Sequence, residues 1–192
     1  DTTTTATGAT VNVLTGVGAA VAINVVDNAA IAQLGGTNSA NGVSVTADMP
    51  LGLSNQHLAE ATSGAGATNV GVAGALALNY PTTNFLARLA NGGSTAAGGG
   101  NVTLEADPSS VATTSATSIT LGDPDVGVGA SVAIAIVSDT TLAELEANAG
   151  LTGAGDVVLL ADGDYVSNTT AEAGAQGGTA ISPAVAFSYS DR

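Results

Sequence analysis

Internal repetition constrains this chain more than any other feature. The run Gly16-Val17-Gly18-Ala19-Ala20-Val21-Ala22-Ile23-Asn24-Val25-Val26 returns as Gly71-Val72-Ala73-Gly74-Ala75-Leu76-Ala77-Leu78-Asn79-Tyr80. It returns again as Gly127-Val128-Gly129-Ala130-Ser131-Val132-Ala133-Ile134-Ala135-Ile136-Val137, and a fourth copy opens at Pro183-Ala184-Val185-Ala186-Phe187-Ser188-Tyr189. Val17 to Val72 is 55 residues, Val72 to Val128 is 56, and Val132 to Val185 is 53. A period in this range points to stacked units, each burying its apolar face on the next. Such arrays are long and stiff, and they bind, span or scaffold rather than catalyse.

Within each copy the hydrophobic period is two, which is a strand signal. In the quoted run, Val17, Ala19, Val21, Ile23 and Val25 share one face, and Gly18, Ala20, Ala22 and Asn24 share the other. The large face is expected in the core, and the tiny face against a second packed layer, because rows of Gly and Ala in a strand need a packing reason. Three more strand-like segments follow in each copy. The first is Ala29 to Leu34, matched by Asn84 to Leu89 and Thr141 to Leu145. The second is Gly42 to Asp48, matched by Asn101 to Asp107 and Asp156 to Asp162. The third is polar and small: His57 to Thr62, Val111 to Thr120 and Asn168 to Ala173. Thr141 to Ala149 has good helix propensity, but its counterparts place it among the strands. Gly-Gly, Asn-Gly, Asp-Pro and Asp-Gly pairs punctuate the segments as turn formers.

The expected fold is therefore all-β: a β-solenoid, parallel β-helix-like, built from ~55-residue repeats. Residues 1–192 form one array, with 1–15 ending a preceding repeat, then repeats at 16–70, 71–126 and 127–180, and a fourth starting at 181–192. Thr7 to Thr15 align with Thr62 to Val70, so the array is expected to start and stop within a repeat, as an excised piece or as a unit completed by neighbouring copies.

Sixteen acidic residues face only two basic ones, Arg88 and Arg192, for a net charge of −14. That balance excludes the basic face nucleic acids require and opposes adhesion to anionic lipid. It fits an exported surface protein, a high-salt setting or divalent-cation binding. With no Cys there is neither a disulfide framework nor thiol chemistry. The best apolar run, Val17 to Val26, is too short for a membrane-spanning helix.

The pattern Val126-Gly127-Val128-Gly129-Ala130-Ser131-Val132-Ala133-Ile134-Ala135-Ile136, followed by Thr140-Thr141-Leu142-Ala143-Glu144-Leu145 and Gly155-Asp156-Val157-Val158-Leu159-Leu160-Ala161, resembles the repeats of very large bacterial surface and secreted proteins, namely leukotoxin-like and filamentous-haemagglutinin-like adhesins. The resemblance implies an extracellular β-solenoid serving as stalk or adhesive fibre, and it carries over no catalytic residue.

Few residues offer chemistry. His57 is the single histidine and has neither metal-ligand neighbours nor triad spacing. Asp123-Pro124-Asp125 and Asp162-Gly163-Asp164 each place two carboxylates on one loop. Asp123, Asp125, Asp162 and Asp164 are thus the candidate ligands for calcium, the one ion the sequence offers a place to, although Asp is also an ordinary turn residue. Gly98-Gly99-Gly100 and Gly64-Ala65-Gly66 are turns, since no Lys exists to reach a phosphate. Asn101-Val102-Thr103 and Asn168-Thr169-Thr170 match the glycosylation acceptor pattern. Thr-rich runs such as Thr113-Thr114-Ser115-Ala116-Thr117 resemble ice-binding threonine arrays, but without a spacing that recurs between repeats.

The expected function is a non-enzymatic structural or adhesive segment of an extracellular surface fibre, with no cofactor and an unidentified carbohydrate or host-surface ligand. The alternative is a subunit that polymerises head-to-tail through uncapped β-edges at Thr7 to Val26 and Ala184 to Tyr189. A carbohydrate-active β-helix ranks behind both, because the basic members of its site are missing.

Overall fold

The computed structural model describes residues 1–192, the side chain of Asn12 apart, and they are all-β. Three long strands dominate: β1 (Thr2–Leu34), β4 (Asn55–Leu89) and β8 (Val126–Leu145). Between them lie β2 (Thr37–Ser39), β3 (Val43–Asp48), β5 (Ser94–Ala96), β6 (Val102–Asp107) and β7 (Ser109–Gly122). The last part adds β9 (Gly150–Thr152), β10 (Val157–Ala161), β11 (Asp164–Gly174), β12 (Thr179–Ile181) and β13 (Ala184–Asp191). Every pairing is parallel.

Like pairs with like. Val17 sits beside Val72 and Val72 beside Val128, so the sequence alignment is also the hydrogen-bond register. The Val43 segment stacks as β3-β6-β10. The three-residue strands β2, β5 and β9 form a small sheet of their own at a corner the sequence reading left as turn. Thr141 to Leu145 is strand, as its counterparts require. The chain then turns at Glu146–Ala149, closed by Ala149 N–H to Glu146 O at 3.0 Å, with Asn148 at φ 59°.

β1 and β4 each double back on themselves, and in the third copy the same reversal separates β7 from β8. The first half of β4 pairs with β7 and its second half with β8, so the chain reverses between Ala67 and Val70. The two halves then face each other: Gly74 N–H donates to Ser63 Oγ at 3.2 Å, and Asn79 Nδ2 donates to His57 O at 2.8 Å. So short a reversal cannot hold two sheets at the usual ~10 Å spacing. Near the turn only small side chains fit between them: glycine, alanine, serine and, at Thr120, threonine.

This overturns one expectation. Gly18, Ala20, Ala22 and Asn24 point inward and are buried, whereas Val17, Val21, Ile23 and Val25 point out. Ala22 is 0 % exposed and Ile23 is 52 % exposed. Size along the inner face of β4 rises with distance from the turn, from Gly71 through Ala73, Ala75, Ala77, Asn79, Pro81 and Thr83 to Phe85, with Ala87 and Leu89 beyond it. The second layer packs on the tiny face, as expected, and it is the large face that lies outside the core. One core cluster is entirely alanine, including Ala20, Ala22, Ala61, Ala77 and Ala133. The other lies where the chain opens toward β3 and β6 and holds Phe85, Leu89, Val102 and Leu104.

Glycine marks the tightest approach. A Cβ on Gly18 would fall 2.1 Å from the Gly64 carbonyl oxygen, and one on Gly127 the same distance from that of Gln176. Both obstructions are backbone and cannot swing aside. Gly18→Ala and Ala77→Leu should therefore each destabilise by about 1–3 kcal/mol through overpacking. Ile23→Ser in dilute solution should cost about 1 kcal/mol or less, the scale of a lost cross-strand contact. Chemical denaturation checks the order. A loss of about 2–5 kcal/mol at Ile23, the cost of truncating a buried core residue, would restore the large face to the core.

Candidate functional surface and interior polar network

The register builds two unlike outer faces. On the β1/β4/β8 side, outward columns are apolar: Val21, Leu76, Val132 and Val185 form one, and Ile23, Leu78, Ile134 and Phe187 the next. Val17, Val72, Val128 and Ile181 form a third, separated from the first by the small column Ala19, Gly74 and Ala130. No charged residue occupies any of these positions.

The opposite face, on the first halves of β1 and β4 with β7 and β11, is polar. Thr7, Thr62, Thr117 and Glu172 align in one column, and Thr5, Glu60, Ser115 and Thr170 in its neighbour. One column, Thr7–Thr62–Thr117, is threonine in three successive copies, but its neighbours hold Leu58 and Glu60, so a threonine spacing does not recur from repeat to repeat.

The interior carries an ordered polar network at the middle of the wedge, where the gap exceeds a methyl group but has not yet reached the size of Phe85. Asn24 Nδ2 donates to Asn79 Oδ1 at 3.0 Å and to Thr2 Oγ1 at 3.2 Å. Asn79 Nδ2 donates to the carbonyls of His57 (2.8 Å) and Thr113 (3.1 Å). Asn28 Nδ2 lies 3.2 Å from His57 Nε2, and Thr2 Oγ1 lies 3.0 Å from His57 Nδ1. Since an amide nitrogen can only donate, Nε2 accepts and Nδ1 carries the proton. His57 is fully buried, and burial lowers its pKa, so the ring is held neutral. His57 is thus structural, as expected of an isolated histidine. Further along, Ser131 Oγ donates to Glu172 O at 2.6 Å and shares a hydrogen bond with Ser118 Oγ at 2.9 Å.

One interior column is charged. Asn28 stacks beneath Thr83, Thr83 beneath Asp139, and Arg192 follows Asp191 into the next position. The Asp139 side chain is 0 % exposed, with Arg192 Nε 4.0 Å from its Oδ2. Neither carboxylate oxygen has a hydrogen-bond partner. Burial raises the Asp139 pKa, and the adjacent Thr83 hydroxyl and Arg192 guanidinium only partly oppose it. Tyr165 closes the group, bonded to Thr141, with Arg192 5.4 Å from its ring centre. Burial raises its pKa as well. Asp139 carries no sequence motif; only its place in the column reveals it. The other cation, Arg88, binds Glu146 at 2.7 Å and Gln33 at 2.9 Å.

The proposed calcium ligands occupy two separate turns. Asp123 and Asp125 flank the buried Pro124 where the chain reverses between β7 and β8, while Asp162 and Asp164 lie at the corner between β10 and β11. No group of three or more His, Cys, Asp or Glu residues is placed to hold a metal among the described residues. No helix is long and apolar enough to cross a membrane. No family model matches the chain, and neither a curated protein nor a solved structure does.

Two buried groups give opposite pH responses. The folded pKa of His57 lies below its unfolded value of 6.5, so its contribution is complete above pH 6.5 and is lost as pH falls through the folded value. Asp139 has a folded pKa above the unfolded 3.8, so its contribution is complete below 3.8 and is lost as pH rises through the folded value. Relative to wild type, His57→Gln should flatten the melting-temperature profile just below pH 6.5. Asp139→Asn should raise the melting temperature at pH 7, with the gain vanishing near pH 3.8. Thermal melts from pH 3.5 to 8 read both.

Proposed function

We propose that this chain is a segment of a β-solenoid with one coil per ~55-residue repeat, serving as a non-enzymatic structural and adhesive part of an extracellular fibre. The observation that carries this reading is the shared offset of the pairings. Thr2 lies beside His57, His57 beside Ala112, and Ala112 beside Ser167, each 55 residues on. Val102 beside Val157 repeats the same 55 in a different sheet. A lattice of that kind extends by adding copies, and each copy satisfies the backbone of the one before it.

The chemistry of the interior supports a structural role. His57 sits in a hydrogen-bonded network that ties the two sheets together, and Asp139 lies apart from it beside Arg192, so the two buried acid–base groups do not converge on one site. The strong excess of acid over base suits an exposed surface and opposes contact between copies wherever the carboxylates stand.

Growth by stacking also follows. β1 pairs only with β4, and β13 only with β8, so parallel edges lie open on both sides of the array. A cavity of about 530 Å³ opens beside Leu34, Val43 and Val45 in the first layer, where the wide core has no neighbour above it. Further repeats of the same polypeptide, or another copy stacked head-to-tail, would close both features. The adhesive ligand is read as a carbohydrate or surface glycan meeting the threonine-lined face.

Tandem proteins carrying two, four and eight repeats test the winding. Small-angle scattering should show one dimension growing by about 4.8 Å per added repeat while the cross-section stays constant, and stability should rise with repeat number. A radius of gyration that grows isotropically, or stability independent of repeat number, would reject the solenoid.

A further inference from the structure

We infer that the uncharged apolar face of β1, β4, β8 and β13 is a lateral interface on which a second copy of this chain packs face to face. The inference stands apart from the fibre reading, because it concerns the broad side of the sheet and not its ends.

Four observations carry it. The first is exposure without a covering layer: Val21, Ile23, Val185 and Phe187 are each more than half exposed. The inner side of β1, β4 and β8 is sealed against its own second sheet, while β13 is exposed on both sides, so nothing in the fold covers the outer face. The second is size. Four strand layers at about 4.8 Å, and eight residue steps from Val17 to Val25 at about 3.3 Å, give a flat area of roughly 500 Å². That lies at the upper end of the patches that monomers leave bare, about 300–600 Å². Two such faces together would bury about 1,000 Å², the threshold for a specific interface, and every further layer adds to it.

The third is charge. Sixteen acidic residues are distributed over the chain, yet none stands in the columns between Val17 and Val25. This is where two chains of net charge −14 can meet without desolvating a carboxylate. Asp27 and Asp191 stand in one column just beyond, beside Thr82 and Ser138, at the rim of the patch. Those rim acids, and the near absence of Lys and Arg, oppose an anionic lipid surface as the occupant. The fourth is relief. The Ala19–Gly74–Ala130 column is a furrow between the ridges led by Val17 and Val21. Ridges and furrow run across the strands along the stacking direction, so a two-fold partner can seat a ridge in the furrow at ordinary sheet spacing.

Sedimentation velocity over a concentration series in 0.5 M sodium chloride, which screens the self-repulsion, should show the 18.1 kDa chain in reversible equilibrium with its dimer. Leu76→Glu with Val132→Glu should weaken association at least tenfold while circular dichroism remains wild type. The chain has no Cys, so a single introduced thiol reports proximity without depending on those charged variants folding. Val132→Cys should form a disulfide-linked dimer much faster than Ser115→Cys on the opposite face. A monomer at every concentration, equal cross-linking from both faces, or association unmoved by the glutamates in a folded variant would each overturn the interface. Flotation with neutral phosphatidylcholine vesicles should find no bound protein. Vesicle binding that Leu76→Glu abolishes, from a chain that stays monomeric, would assign the face to lipid instead.

Discussion

Everything in this structure depends on how close two strands of one chain come after a reversal of a few residues. The reversal at Ala67–Val70 brings sheet against sheet at backbone contact, and the Gly18–Gly64 and Gly127–Gln176 approaches leave no room for a methyl group. The core next to the turn is therefore built from small residues, glycine and alanine with Ser63, Ser118, Ser131 and Thr120 among them. Apolar burial per residue is small there, since alanine contributes one methyl group where leucine contributes four carbons. Ladder hydrogen bonds carry a correspondingly larger share of the structure, along with the dispersion contact of closely packed backbones.

The wedge also explains the polar interior. Midway along, the gap suits an amide or an imidazole, and Asn24, Asn79 and His57 fill it with their hydrogen bonds satisfied. Such a network fixes register, because a slip by one residue would turn these groups outward and drive Val or Ile into the narrow gap. Asp139 departs from this pattern, as do the hydroxyls of Thr83 and Thr114. Its carboxylate is buried with a guanidinium near but not bonded.

The period and the register were legible in the sequence because parallel in-register stacking sets like residues on like, so self-alignment and pairing coincide. Val43, Val102 and Val157 were found in this way. Which face of the main strand goes inside was not. The rule that large residues seek the core assumes that the core has room, and the room is set by a reversal whose tightness cannot be seen in composition. The clue was nevertheless present in the ordered rise from Gly71 through Ala77 and Asn79 to Phe85. The corner strands β2, β5 and β9 escaped notice because three residues carry no periodicity. Asp139 escaped because its neighbours come from other copies.

A last consequence concerns economy of chain. An extended polypeptide advances about 3.3 Å per residue, but here 55 residues separate one layer from the next, and a layer is about 4.8 Å thick. Each residue thus contributes less than about 0.1 Å of height. The stretch from Val70 to Asn79 alone runs about 30 Å across the stack, wider than the roughly 19 Å that four layers stand tall. A polypeptide built to reach far would not be wound like this. What each copy adds is breadth: another strip of apolar surface on one side and of hydroxyl-bearing surface on the other. The material so made is broad for its height and has two different sides.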